Sequence, residues 1–270
     1  MNPSIFTPYL TRWNLVADGD AIHTHSSHLL PVRRDGVALM LKVAFEKDEK
    51  TGGVLMQWWD GDGAARVFEY DGEALLLERA TGTRSLLTMV RDGRDDAATT
   101  ILCAAIARLH APRDKPLPDL VPLEPWFAEL WPIAASQGGV IAETAAVARR
   151  LLADQRERRP LHGDIHHENV LDFGARGWLA IDPKRLIGDR AFDYANLFCN
   201  PDFASATAQG TVERRLAIVL TQSGIDRTHL LEWIFAWCGL SAAWFIGDDK
   251  APEAATDLAV AERVRALMSA

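Results

Sequence analysis

The sequence predicts an α+β fold of two lobes, a small β-rich lobe over residues 1–80 and a larger helical lobe over residues 81–270. Three observations lead there. The first third holds short apolar runs joined by Asp-Gly pairs, a hairpin signature. Beyond residue 80 the chain turns alanine-rich with apolar residues at helical spacing. One short pair of apolar runs, 170–173 and 178–181, interrupts that helical part around Gly174–Gly177 and reads as an embedded hairpin. A chain of 270 residues suits one large domain or two lobes.

In order along the chain, residues 21–28 are polar, and Val32 and residues 37–43 flank Arg33-Arg34-Asp35-Gly36, the first hairpin. Residues 48–59 have helical length, with Gly52-Gly53 interrupting them. Asp60-Gly61-Asp62-Gly63 is a turn, and residues 65–70 and 74–78 form a second hairpin around Asp71-Gly72. Residues 97–110 are helical and 112–125 are a proline-rich connector. Helices are expected over 124–137, 141–159, 211–223, 228–247 and 252–269, the last with Pro252 in its first turn.

Composition narrows the function. With 48% hydrophobic residues and a formal charge of −8, the chain has material for a full core and is not a disordered segment. Its longest uncharged apolar run, residues 233–247, falls short of the ~20 residues of a membrane span and reads as a core helix. The acidic balance argues against a nucleic-acid partner, which calls for a basic footprint, and suits a cationic small molecule. Cys103, Cys199 and Cys238 show neither metal spacing nor a disulfide framework, as expected of a reducing cytoplasm. Residues 1–15 lack the apolar stretch of a signal peptide. Of 29 basic residues only 6 are lysines, so each lysine draws notice.

The segment 161–182, LHGDIHHENVLDFGARGWLAID, carries the most chemistry. If its two apolar runs pair, Asn169 and Asp182 stand at the open end of the hairpin, where their side chains can converge. A carboxylate beside an amide oxygen is hard-oxygen ligation suited to Mg²⁺. Asp164, in the loop before, is placed to accept a proton from a hydroxyl. Positioning and charge neutralisation are most of what phosphoryl transfer asks of a protein.

His162-Gly163-Asp164, Asn169 and Ile181-Asp182-Pro183 resemble the catalytic core of the aminoglycoside phosphotransferases. Together with Ala191–Phe198 and Asn200-Pro201, they are most similar to the streptomycin 6-phosphotransferase branch, the aminoglycoside/hydroxyurea resistance kinases. The resemblance implies a protein-kinase-like fold with ATP and Mg²⁺ as cofactors, and a hydroxyl of a small acceptor, streptomycin-like or hydroxyurea, as the phosphate's destination. It implies that Asp164 is the catalytic base and that Asn169 and Asp182 hold the metal. Lys42, on an apolar strand, would contact the ATP phosphates and pair with a glutamate, Glu49 or else Glu46. Backbone groups of Glu78 and Ala80 would meet the adenine, and Ser26 and Ser27 would cap a phosphate where kinases carry a glycine-rich loop. Asp193 would brace the catalytic loop through backbone amides, with His162 as a further scaffold residue.

Three other readings compete. A kinase of the same fold would phosphorylate a small metabolite. A pseudokinase would bind nucleotide without turnover. A metal-dependent hydrolase would use His162, His166 and His167, although their order does not match the metallohydrolase motif and no HExxH is present. Asp189, Asp202, Glu232, Asp248 and Asp249 are acids that could line an acceptor site. The tryptophans, Trp233, Trp237 and Trp244 among them, read chiefly as core.

Overall fold

Asp35 and Gly36 both take positive φ, 51° and 81°. That is the backbone a tight hairpin turn requires, and it matches the right-handed twist of the flanking strands. The computed structural model describes residues 5–24, 26–45 and 50–269. In it, strands β1 (Val16–Ala17), β2 (Ile22–His23), β3 (Ser27–Arg34), β4 (Val37–Ala44), β5 (Val67–Tyr70) and β6 (Ala74–Glu78) make one antiparallel sheet. Its order is β1-β3-β4-β6-β5, with β2 also on β3.

Alternation along β4 decides what each face does. Leu39, Leu41 and Val43 join Leu30, Val32, Ala74 and Leu76 on one face, covered by Phe6, Leu15 and the helix Thr7–Arg12. Met40, Leu75 and Leu77 lie on the other face, against Met56 of the helix Gly53–Trp59 and against Phe173 and Leu179 of the later hairpin. Lys42 sits opposite Leu75 in the register and shares this inner face. The same one-residue rule that buries the leucines therefore turns the lysine toward the second part of the molecule.

The C-terminal part is helical around the helix Arg227–Gly247. This helix packs on Gly139–Ala153, Ala255–Met268 and Leu130–Gln137. It is apolar on all sides, as a fully surrounded helix must be. By length and composition it could cross a membrane, yet 72% of its most apolar window is buried inside the fold. Among these helices lie the two-stranded hairpin of β9 (Val170–Asp172) and β10 (Trp178–Ala180), and the three-stranded sheet of β7 (Val121–Pro122), β11 (Leu186–Asp189) and β8 (Arg158–Leu161). The backbone of Gly63 and Ala65 bonds to Ala180 on both sides, tying the first part to the hairpin.

Several boundaries differ from the sequence expectation. The stretch 124–137 is two helices, Leu123–Trp126 and Leu130–Gln137, and Gly138 at φ 65° separates the second from Gly139–Ala153. The expected helix 141–159 ends at Ala153. Residues 158–161 are strand β8 because β11 offers them a hydrogen-bonding partner, and such long-range pairing overrides local propensity. The helix Leu86–Arg91, capped by Ser85, was not expected at all.

Arg215 carries the largest buried charge of the helical part. Its side chain is 0% exposed. It pairs with Asp95 at 2.6 Å and donates to the carbonyls of Leu197 and Asn200, both at 2.6 Å. One guanidinium thus ties the helix Thr211–Ser223 to the start of the helix Asp95–Leu109 and to the turn 197–200. Replacing it with an apolar residue strands Asp95 and two carbonyls. We expect Arg215→Met to lower the unfolding free energy by about 3–5 kcal/mol, read as a fall in denaturation midpoint at constant slope. A midpoint unchanged from wild type would show that the network is not stabilising.

Candidate active site

The loop from Leu161 to Asn169 is held from below by one carboxylate. Asp193 Oδ2 accepts from the His162 amide and Oδ1 from the Gly163 amide, both at 2.8 Å, and His110 Nε2 reaches Oδ2 at 2.8 Å. These donors leave neither oxygen of the buried carboxylate without a hydrogen bond. His162 is fully buried, and desolvation holds its pKa below the usual value. The neutral ring donates from Nε2 to the Ile181 carbonyl at 2.7 Å and accepts the Asp164 amide at Nδ1, 3.3 Å. The bracing functions expected of Asp193 and His162 are present as these bonds.

Asp164 emerges from the braced loop with its carboxylate partly open, 34% exposed. Asn196 Nδ2 donates to Oδ1 at 3.0 Å, and Lys184 Nζ stands 3.6 Å from Oδ2. Asn200 Nδ2 donates to Asn196 Oδ1 at 2.7 Å, which settles how the Asn196 amide faces. Because Arg215 holds the Asn200 carbonyl, a continuous chain of bonds runs from that buried guanidinium to Asp164.

Asn169 and Asp182 flank the open end of the β9–β10 hairpin, where Ile181 N donates to the Asn169 carbonyl at 2.9 Å. Asn169 Nδ2 donates to the Asp164 carbonyl at 2.8 Å, so its Oδ1 is turned the other way. Asp182 adopts φ 60°, an uncommon backbone state for a non-glycine residue and one that recurs at functional sites. Its Oδ1 lies 2.7 Å from Lys42 Nζ, whose side chain is 2% exposed. One amide oxygen and one carboxylate at this hairpin end fit the hard-oxygen preference of Mg²⁺, which completes its shell with water and phosphate.

The helix Gly53–Trp59 comes close behind Asp182. A Cβ on Gly52 would stand 2.1 Å from the Pro183 carbonyl. No side chain fits there, so an acid for Lys42 cannot arise at that position. Glu49 and Glu46 lie outside the described residues.

Glu78 and Ala80 lead from β6 into the connection between the two parts. The Glu78 amide is taken by the Arg66 carbonyl at 2.8 Å, and its side chain pairs with Arg176. The connection is clamped farther on, where Gly82 donates to the Asp172 carbonyl and Arg84 grips the Asp172 carboxylate at 2.7 and 2.8 Å. That pair holds the Asp172 carboxyl well below the usual range. Ser26 and Ser27 are buried in a turn closed on itself. Ser27 N donates to Thr24 Oγ1 at 3.0 Å and Thr24 N to the Ser27 carbonyl at 2.9 Å. A phosphate there would have to displace these bonds.

The three histidines do not converge. His162 faces Ile181, and His166 faces the cavity beside Asp164. His167 is buried with both ring nitrogens unpartnered, its pKa pushed down to about 3 by desolvation. Among the described residues no group of three His, Cys, Asp or Glu side chains is arranged for a metal. The hydrolase alternative therefore has no site in these histidines.

A cavity of about 1400 Å³ opens beside Asp164. Glu129, Asp202, Asp248, Glu253 and Asp257 line it with Asp164, against Lys184 and His166. Of the acids expected at an acceptor site, Asp202 and Asp248 are here. Asp189 is instead buried with His229 at 2.8 Å, and Glu232 pairs with Arg150. Trp237 and Trp244 line the cavity wall, while Trp233 is core. Lys184, Asn196 and the acids of residues 253–257 carried no assigned function in the sequence. The scarcity of lysine was the one signal that pointed to Lys184.

Known proteins are similar to this chain in sequence and in fold. Residues 12–249 match the family described as aminoglycoside/hydroxyurea antibiotic resistance kinase. A streptomycin 3''-kinase of Klebsiella pneumoniae is 53% identical, covering 96% of this chain and 100% of that protein. A streptomycin 6-kinase of Streptomyces griseus is 32% identical over 96% of this chain and 88% of its own length. A hydroxyurea phosphotransferase of Kitasatospora aureofaciens is 32% identical over 96% and 78%. In fold, the chain is similar to a choline/ethanolamine kinase family protein from Mesorhizobium loti, with TM-score 0.69, 15% identity and coverage of 94% and 90%. It is likewise similar to an aminoglycoside phosphotransferase solved with ADP and hygromycin B, with TM-score 0.67, 14% identity and coverage of 97% and 98%. The chain has the protein-kinase-like fold and belongs to the aminoglycoside/hydroxyurea antibiotic resistance kinase family.

Proposed function

We propose that this kinase transfers the γ-phosphoryl group of ATP to a hydroxyl of streptomycin, the 3'' hydroxyl first, in the cytoplasm. The carrying observation is the cavity at Asp164, in which six carboxylates face one lysine and one histidine. Such a surface draws a cationic acceptor to the reactive carboxylate. The 53% identity to a streptomycin 3''-kinase, against 32% to a 6-kinase, favours the 3'' position.

In this reading the nucleotide lies between a lobe of residues 1–80 and a lobe of residues 81–270. Lys42 contacts its phosphates, and backbone groups of Glu78 and Ala80 meet the adenine. Glu49 is assigned as the further partner of Lys42, and Ser26 and Ser27 stand at the phosphate end. Asn169 Oδ1 and Asp182 hold Mg²⁺, which when bound neutralises the phosphate oxygens. Asp164 orients the acceptor hydroxyl and takes its proton. The new O–P bond forms as the bond from γ-phosphorus to its bridging oxygen breaks, and ADP leaves. Asn196 keeps the Asp164 carboxylate aimed into the cavity, and Asp193 keeps the loop from shifting under it. Small displacements of such a group are costly to rate.

Three outcomes test this. Asp164→Asn keeps shape and loses the proton acceptor, so kcat should fall by about 10²–10⁴ while calorimetric nucleotide affinity holds. Full transfer by this variant would remove Asp164 from its assigned step. Lys42→Met removes a phosphate contact and leaves Asp182 unpaired, so nucleotide affinity should weaken by ~10-fold or more, about 1.4 kcal/mol. Affinity equal to wild type would place the phosphates elsewhere. Finally, NMR of the product of streptomycin, ATP and Mg²⁺ should show phosphate on the 3'' oxygen. A product phosphorylated at position 6 would overturn the regiochemical assignment, and no product would overturn the acceptor.

A further inference from the structure

The cavity wall farthest along the chain contains a buried carboxylate that no cation pairs among the described residues. Asp257 lies in the helix Ala255–Met268 with 2% exposure and lines the cavity. Its Oδ2 is buried and receives no hydrogen bond among the described residues. The Cys199 thiol and the Ser241 hydroxyl hydrogen-bond to the Asp257 carboxyl, and neither is a cation. A buried carboxylate is ordinarily paired, because desolvating an unpaired charge costs more than most single contacts return. Here desolvation pushes the Asp257 carboxyl up to about 6. Asp202, in the same cavity, differs: its carboxylate caps a helix through the Ser205 amide and is held below the usual range. Asp257 has only neutral donors and no cation among the described residues, yet it lines space large enough for an acceptor.

We infer that Asp257 is the seat for a cationic group of the acceptor, a guanidinium or ammonium inserted into the cavity between the Cys199–Ser241 wall and the Trp237 and Trp244 rings. The inference rests on the acceptor reading above and gives it a specificity-determining residue. A planar guanidinium supplies the donors that Oδ2 lacks. Trp237 and Trp244 line the same cavity, and an aromatic ring attracts a cation placed over it. The fold keeps the unpaired acid at a cost in stability, and the acceptor's own charge offsets that cost on binding.

The test is calorimetric titration of streptomycin into wild type and Asp257→Asn without nucleotide, with neutral hydroxyurea as the second ligand. Streptomycin affinity should drop at least tenfold in the variant, and hydroxyurea should behave identically in both proteins. The melting temperature separates a binding function from a structural one. An acid whose folded pKa is raised penalises the folded state increasingly as pH rises from its unfolded value through about 6. Asp257→Asn should therefore melt at or above wild type, with a larger gain at pH 8 than at pH 5. Unchanged streptomycin affinity, no streptomycin binding by wild type, or a variant that melts lower or does not fold would each overturn the inference. Failure of the kinase reading has a different appearance: wild type would bind streptomycin through Asp257 and transfer no phosphate to it.

Discussion

The rest of the site depends on the buried carboxylate of Asp193. Two consecutive backbone amides, those of His162 and Gly163, point at it, and no helix or sheet ladder would otherwise satisfy them. Holding both amides forces the chain into the bend from which Asp164 emerges. The imidazole of His162 then bonds across to Ile181, the residue before Asp182. One anion in the core thus positions the proposed proton acceptor directly and the hairpin end indirectly. Without it, two desolvated donors would be left unpaired, and the loop would be free to adopt other bends.

A second chain of bonds reaches Asp164 from the opposite side. Arg215 holds the turn 197–200 through carbonyls, Asn200 orients Asn196, and Asn196 holds Asp164. Asp164 is therefore held by two supports, Asp193 through the backbone just before it and Asn196 through its carboxylate. Arginine suits the buried end because its planar fork can satisfy a carboxylate and two carbonyls at once. Precision at Asp164 comes from these supports, since the loop that carries it has no ladder of its own.

The two parts of the molecule meet through charge as well as through apolar contact. Lys42 leaves the inner face of the sheet and reaches Asp182, while Arg84 fastens the connecting segment to Asp172 at the turn end of the same hairpin. The β9–β10 hairpin is consequently the joint between the β-rich N-terminal part and the helical C-terminal part. Gly52 shows how tight that joint is, because its neighbour across the gap is the Pro183 carbonyl itself. Beside Asp164 the packing is looser, with acids distributed around a large cavity. A polar cavity of that kind selects by charge more than by shape.

The local order of residues determined a good deal by itself. Asp-Gly pairs specified both hairpins of the sheet, because positive φ is inexpensive at few residue types. Strand alternation put Lys42 on the opposite face from Leu41 and Val43. The spacing of Asn169 and Asp182 around two short apolar runs placed them at one hairpin end. The family motifs pointed to Asp164. These features depend on neighbours within about a dozen residues, or on a pattern that repeats between proteins. What only the tertiary structure decided depends on partners far away in sequence. Residues 158–161 became a strand because β11 was waiting for them. Asp189, expected at the acceptor site, went to His229, and Glu232 went to Arg150. Lys184 and Asn196 gained their positions only once two separate segments were folded onto Asp164. Asp257 looked like any other helical acid, and its lack of a cationic partner among the described residues is a property of everything packed around it, which no window of sequence contains.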